Sequence, residues 1–210
     1  LQREGAWVKI LGRETWNVWE LRSHIGIVSH DLQARYRSTT TALHVVLSGY
    51  LSSEGIHGSL AGRITTDQMT RAREVMDGLG VGALADTQLS RMSTGQQRRC
   101  LLARALVHDP DTLILDEPTA GLDLAASFDY LDRIRQLANS GKNIVLVTHL
   151  LNEIPPEIDR VILLREGKIV ADGAKEDVLT DKNLRLTYGV DLRLAKVDDY
   201  YLAYPNSPRI

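Results

Sequence analysis

Two adjacent carboxylates, Asp116 and Glu117, close the apolar run Thr112-Leu-Ile-Leu, and Pro118 follows at once. A short apolar run with turn residues behind it reads as a buried strand, and in open α/β sheets the ligand crevice lies at strand C-termini. Asp116 suits Mg²⁺, a hard cation that takes oxygen ligands. Glu117 is placed to orient or deprotonate a water. A solvated strand end would show the same pair. The second group is Ser93-Thr94-Gly95-Gln96, in which Ser93 is a good N-cap and Gln96, three residues on, completes a capping box. A helix N-terminus beside a glycine is an anion site, worth about 0.3–2 kcal/mol per charge. A capped helix without any ligand fits these four residues as well. The third is His149, which follows Ile144–Val147 and Thr148 at a strand end and could meet a phosphate, a water or a structural acceptor. His24, His30, His44, His57 and His108 show no metal-ligand spacing. Arg98, Arg99 and Arg104 read as a solvated helix face open to a partner.

The elements that must position these groups alternate. Strands are expected at 6–11, 25–29, 113–115, 144–148 and 161–164, and helices at 40–51, 69–79, 94–107 and 124–138. A polar stretch covers 30–38, Gly55, Gly58 and Gly62 mark a loop, and Pro110 and Pro155-Pro156 stop helices. Strands alternating with helices predict an α/β fold with a mostly parallel sheet and crossover helices. Residues 39–92 are glycine-punctuated and helical, and are expected to form a lobe of their own.

The composition of the 210 residues excludes other classes. Apolar residues make up 43% and charged residues 25%, which is not the make-up of a disordered, collagenous or coiled-coil chain. Lys and Arg number 25 against 27 Asp and Glu, a net charge of −2, so no global basic field favours nucleic acid. Runs such as Ile144–Val147 fall far short of the roughly 20 apolar residues of a membrane span. The single cysteine, Cys100, excludes an internal disulfide and fits a reducing compartment.

Taken in order, the groups form a pattern. Gln96 precedes Asp116 by 20 residues, and Asp123 and His149 follow Glu117 by 6 and 32. This order resembles the second half of an ATP-binding cassette (ABC) ATPase, the motor domain of ABC transporters. Met92-Ser93-Thr94-Gly95-Gln96-Gln97-Arg98-Arg99 is similar to the family signature, normally Leu-Ser-Gly-Gly-Gln, with Met92 and Thr94 as departures. Leu113 to Glu117 is similar to the Walker B strand, Ala120-Gly121-Leu122-Asp123 to the D-loop, and His149 to the switch histidine. At the Q-loop the family has glutamine; here the place falls to His30, with Gln33 three residues on, and either is a candidate. No Gly-x-x-x-x-Gly-Lys-[Ser/Thr] occurs in the 210 residues. The P-loop of the family precedes the strand matched by 6–11, and the chain opens on Leu1 and not Met, so it is expected to be the C-terminal part of a longer cassette. A natural subunit that never had a P-loop is the alternative.

The resemblance implies a P-loop NTPase-like fold, N-terminally truncated, in one ABC domain over 1–210. Its α/β core would comprise 1–38 and 93–194, its helical subdomain 39–92 and its tail 195–210. It implies ATP and Mg²⁺ as cofactors, Asp116 on the metal, and Glu117 and His149 as catalytic residues. Ser93, Thr94, Gly95, Gln96 and Asp123 would contact nucleotide, together with His30 or Gln33. Partners would be a second ABC cassette and transmembrane permease subunits, with no direct nucleic acid, at the inner face of the cell membrane. Gly167 to Gly173, Glu176 to Thr180 and Tyr188-Gly-Val190 resemble the tails of iron-chelate, haem, cobalamin and molybdate-type ATPases. Import of an iron-chelate-like or metal-oxyanion cargo is therefore expected. A soluble ABC ATPase of repair, translation or regulation is the other reading.

Overall fold

Strand β1 (Ile25–Val28) pairs in parallel with β2 (Thr112–Asp116), with Ile25 opposite Thr112 and Val28 opposite Leu115. Parallel pairing needs a long crossover, and here the connection carries the helices that shape the first unit. The computed structural model describes residues 8–51 and 62–206, with the side chains of His30 and Gln33 outside the described set. The chain divides into two compact units, residues 1–122 and 123–210.

In the first unit, helix α1 (Val18–His24) is capped by Asn17, whose side chain accepts from the Trp19 N–H, and buries no residue. It leads into β1, then α2 (His30–Arg35), α3 (Ala42–Leu51), α4 (Thr66–Gly78) and α5 (Thr94–Leu106). Helix α5 forms the centre, burying Cys100, Leu101, Leu102, Ala103, Ala105 and Leu106. Two glycines let it come close. A Cβ on Gly26 would lie 2.5 Å from the Ala105 carbonyl oxygen, and one on Gly49 would lie 2.3 Å from that of Arg104. Both contacts are against backbone, which cannot rotate away. Beneath them Ser48 is fully buried, its hydroxyl donating to the Val45 carbonyl (2.6 Å) and lying 2.8 Å from Tyr36 Oη.

In the second unit α6 (Leu124–Asn139) buries Tyr130, Leu131 and Ile134. Strand β3 (Asn143–Val147) is followed by the hairpin β4 (Arg160–Arg165) and β5 (Lys168–Ala174). Helices α7 (Lys175–Val178) and α8 (Asp181–Tyr188) lead to a second hairpin, β6 (Leu192–Val197) and β7 (Tyr200–Pro205). Leu151, Ile154, Val161, Leu163, Val178, Leu179, Leu184 and Tyr201 close into one core cluster. Among the described residues no helix is long and apolar enough to cross a membrane.

Several elements differ from expectation. The strand expected at 6–11 is a tight turn over its described part: Ile10 bridges Arg13, Leu11 and Gly12 have φ of 49° and 78°, and the Trp16 indole donates to the Ile10 carbonyl. Residues 6 and 7 lie outside the described residues, as do Gly55 and Gly58. The polar stretch after β1 is helical from His30 to Arg35. Much of the expected tail is the end of β6 and the whole of β7.

Candidate functional site

The parallel register sets the first feature. Because Val28 stands opposite Leu115, the segments leaving β1 and β2 emerge at one sheet edge. Helix α2, which carries His30 and Gln33, begins at that edge; the two side chains lie outside the described residues. Asp116 ends β2 and is exposed, and Glu117 behind it is half-buried. Glu117 has φ 45°, the left-handed region, where a non-glycine residue costs about 1–3 kcal/mol. The Ala120 N–H donates to the Glu117 carbonyl (3.1 Å) and the Leu122 N–H to that of Thr119 (2.9 Å), so 117–122 turns hard off the strand.

The N-terminus of α5 closes against this turn. Ser93 is the N-cap: its hydroxyl accepts from the Gln96 N–H (3.3 Å), and Gln96 Oε1 accepts from the Ser93 N–H (2.9 Å). Gln97 Nε2 donates to the carbonyls of Leu89 (2.8 Å) and Met92 (2.9 Å), tying the preceding 3-10 turn to the helix. Arg98, expected on a solvated face, is fully buried, and its guanidinium donates to the Ala120 carbonyl (3.1 Å). A charged pattern on a helix does not reveal a carbonyl acceptor from a loop 22 residues downstream. Gly121, at φ 78°, would place a Cβ 4.0 Å from Thr94 Cγ2. Thr94 and Gly121 are thus neighbours. Arg104, of the same expected face, donates to Ser48 Oγ (3.3 Å).

The second unit holds the other two candidates. Asp123 caps α6, its carboxylate accepting from the Ala126 N–H (2.8 Å). His149 is exposed on the loop after β3. On its N-terminal side the Thr148 hydroxyl donates to the carboxylate of Glu153, a residue only 5% exposed, and accepts from the Leu150 N–H (3.0 Å). On its other side the Tyr188 hydroxyl donates to the His149 carbonyl (3.2 Å). A cavity of about 270 Å³ adjoins His149, lined by Leu150, Tyr188, Leu192 and Leu202 among others. The contacts that Arg98, Glu153 and Tyr188 make were not legible in the sequence. Each acts on a backbone or hydroxyl partner that no spacing rule marks.

The donor chemistry bears on the cofactors. Among the described residues no three His, Cys, Asp or Glu gather as a metal site. Asp116 offers a single exposed carboxylate. That fits Mg²⁺, which keeps several waters and binds through one or two carboxylates plus substrate phosphates, and not a cation caged wholly by protein. Cys100 is fully buried, and burial pushes its thiol up to about 12.

Comparison with known proteins gives a consistent result. The family described as ABC transporter matches residues 3–120. The uncharacterized ABC transporter ATP-binding protein YlmA of Bacillus subtilis is 37% identical over 79% of this chain and 62% of its own length. The zinc transport system ATP-binding protein TroB of Treponema pallidum is 37% identical over 71% of this chain and 54% of its own. The structure of cbiO1 from Clostridium perfringens, part of the ABC transporter complex cbiONQ, superposes with a TM-score of 0.61 at 28% identity, over 79% of this chain and 62% of that one. The chain thus spans between half and two-thirds of the length of these three relatives.

Proposed function

The chain belongs to the ABC transporter family, and from that premise we propose that it supplies the signature, Walker B, D-loop and switch-histidine portion of an ATP-hydrolysing transport motor. Asp116 holds Mg²⁺, Glu117 orients and deprotonates the attacking water, and His149 contacts the γ-phosphate. Ser93, Thr94, Gly95 and Gln96 touch the nucleotide of a second cassette, and Asp123 couples the two sites. His30 or Gln33 senses the γ-phosphate from the edge of β1. ATP supplies the phosphoryl group, and catalysis rests on positioning and electrostatics, as in phosphoryl transfer generally.

One observation carries the reading. Buried Arg98 binds the Ala120 carbonyl, and Thr94 lies against Gly121. The capped α5 N-terminus, which is an anion site, is therefore fixed beside the turn that leaves the Asp116-Glu117 strand end. The left-handed Glu117 turns the chain off the strand at this same place.

The motor pairs with a second cassette and with transmembrane permease subunits, the latter docked by the helical 39–92 region, and so sits peripherally at the inner face of the membrane. A metal-containing cargo, an iron-chelate-like compound or a metal oxyanion, is favoured by the zinc system of TroB and by a Chlamydia trachomatis relative described as a probable metal transport system ATP-binding protein. The test is Glu117→Gln in the assembled, ATP-hydrolysing protein. Loss of a general base lowers turnover about 10²–10⁴-fold, with ATP binding retained. A variant that hydrolyses ATP at the parental rate refutes the assignment.

A further inference from the structure

The peptide joining His149 to Leu150 is held at both ends. Its carbonyl accepts from the Tyr188 hydroxyl at 3.2 Å, and its N–H donates to Thr148 Oγ1 at 3.0 Å. A peptide unit is planar, so fixing both polar groups fixes the plane and with it the ψ of His149. The two anchors are themselves anchored. Thr148 Oγ1 donates to the carboxylate of Glu153, which is 5% exposed. Tyr188 is the last residue of α8, and that helix end is set by Gly189 in the left-handed conformation (φ 74°) and by Arg165, which donates to the Leu186 carbonyl at 2.7 Å. Burial raises the Tyr188 phenol above its ordinary range, so the hydroxyl keeps the proton it donates.

From this geometry we infer that Tyr188 is a positioning residue for His149: its hydroxyl, 39 residues downstream on α8, fixes the backbone from which the imidazole projects. The inference rests on the proposed role of His149 for its effect on turnover, but not for its structural content. The end of α8, tied to β4 through Arg165, thereby decides where the histidine stands. Thr148 and Glu153 form the opposite arm of the same clamp.

Tyr188→Phe removes one oxygen and keeps the ring on the cavity that Leu150 and Leu192 also line. A single hydrogen bond of this kind supports a change of about 3–10-fold. In the assembled, ATP-hydrolysing protein the variant is expected to lower kcat by that factor with KM for ATP unchanged. In a His149→Ala background the same substitution is expected to have no further effect, the signature of a residue acting through another. An effect of Tyr188→Phe that persists without His149 overturns the inference. A second readout is independent of turnover. In this chain labelled at histidine, the His149 ring resonances are expected to shift in Tyr188→Phe and to stay in place in Tyr204→Phe, a control at an exposed position of β7. Unmoved His149 resonances in Tyr188→Phe overturn the inference whatever the kinetics. If His149→Ala hydrolyses ATP at the parental rate, the γ-phosphate role falls, and the resonances alone then decide for or against Tyr188.

Discussion

Replacing Ser93 by aspartate separates its observed role as helix cap from its proposed role at a nucleotide. As N-cap, Ser93 accepts from the Gln96 N–H at 3.3 Å and opens a 13-residue helix. Aspartate caps as well as serine, and a negative charge at a helix N-terminus is favourable. Ser93→Asp is therefore expected to unfold at the same temperature as the parent. Ser93→Ala loses the cap, about 1 kcal/mol, which for a chain of this size lowers Tm by about 2–4 °C. The order reverses when a triphosphate is brought up. Two unit charges about 4 Å apart at an effective dielectric of about 20 repel by about 4 kcal/mol, roughly 10³-fold in an equilibrium constant. Ser93→Asp should therefore block ATP-dependent association with a P-loop-bearing cassette, while Ser93→Ala weakens it only modestly. Size-exclusion chromatography with and without Mg-ATP reads the association, and thermal unfolding followed by circular dichroism reads the cap. Raising the salt should restore part of the association of the aspartate variant, because exposed charges are screened. If Ser93→Asp associates as the parent does, no phosphate approaches the helix, and Ser93 is a cap and nothing more.

Gly26→Ala drives a Cβ to 2.5 Å from the Ala105 carbonyl oxygen and 2.6 Å from Leu113 Cδ2, so it is expected to destabilise the first unit by about 1–3 kcal/mol, read as a lower urea midpoint. Burial pushes Glu157 up, but its own N–H, Arg135 (2.9 and 3.0 Å) and Asn139 outweigh that and hold its carboxyl below the ordinary 4.5. The stability this gives is full at neutral pH, declines as pH falls below 4.5 and is gone below the depressed folded value; Glu157→Gln should flatten the urea midpoint across that window. The 210 residues contain no Gly-x-x-x-x-Gly-Lys-[Ser/Thr] cradle, and Asp116 with Glu117 repel a free triphosphate. Calorimetry on this chain alone should therefore detect no tight Mg-ATP binding, and tight binding would reveal a phosphate site elsewhere in it.

The parts of the site legible in the sequence are those whose signals are local. Strand β2 is an apolar run with carboxylates behind it, and α5 announces itself by Ser93 and Gln96, whose reciprocal hydrogen bonds form as their spacing predicts. What the sequence hid depends on partners far along the chain. Helix α1 buries nothing, so no apolar stripe marks it. The expected strand at 6–11 has apolar residues at the right spacing, yet Leu11 and Gly12 both take positive φ and turn the described part back on itself. Arg98 carries the same formal charge as its neighbour Arg99, but Arg98 is fully buried and reaches the Ala120 carbonyl, whereas Arg99 is half-buried.

Helix α5 unites the two kinds of information. Its C-terminal half is located by close approach: Ala105 meets Gly26 and Arg104 meets Gly49 at distances that exclude any side chain on the glycines. Its N-terminal half is located by hydrogen bonds to carbonyls, from Gln97 to Leu89 and Met92 and from Arg98 to Ala120. The Gly26 contact fixes the helix against the β1–β2 pair, because Gly26 lies on β1 and Leu113 of β2 lines the same contact, and the Gly49 contact fixes it against α3. The second set fixes the 117–122 turn against the helix. Since that turn also leaves the end of β2, its position is determined twice, once through the strand and once through Arg98. A loop constrained at both ends can hold Glu117 at φ 45° without relaxing. The buried arginine is thus better understood as part of what keeps the carboxylate in a strained conformation than as a charge awaiting a partner.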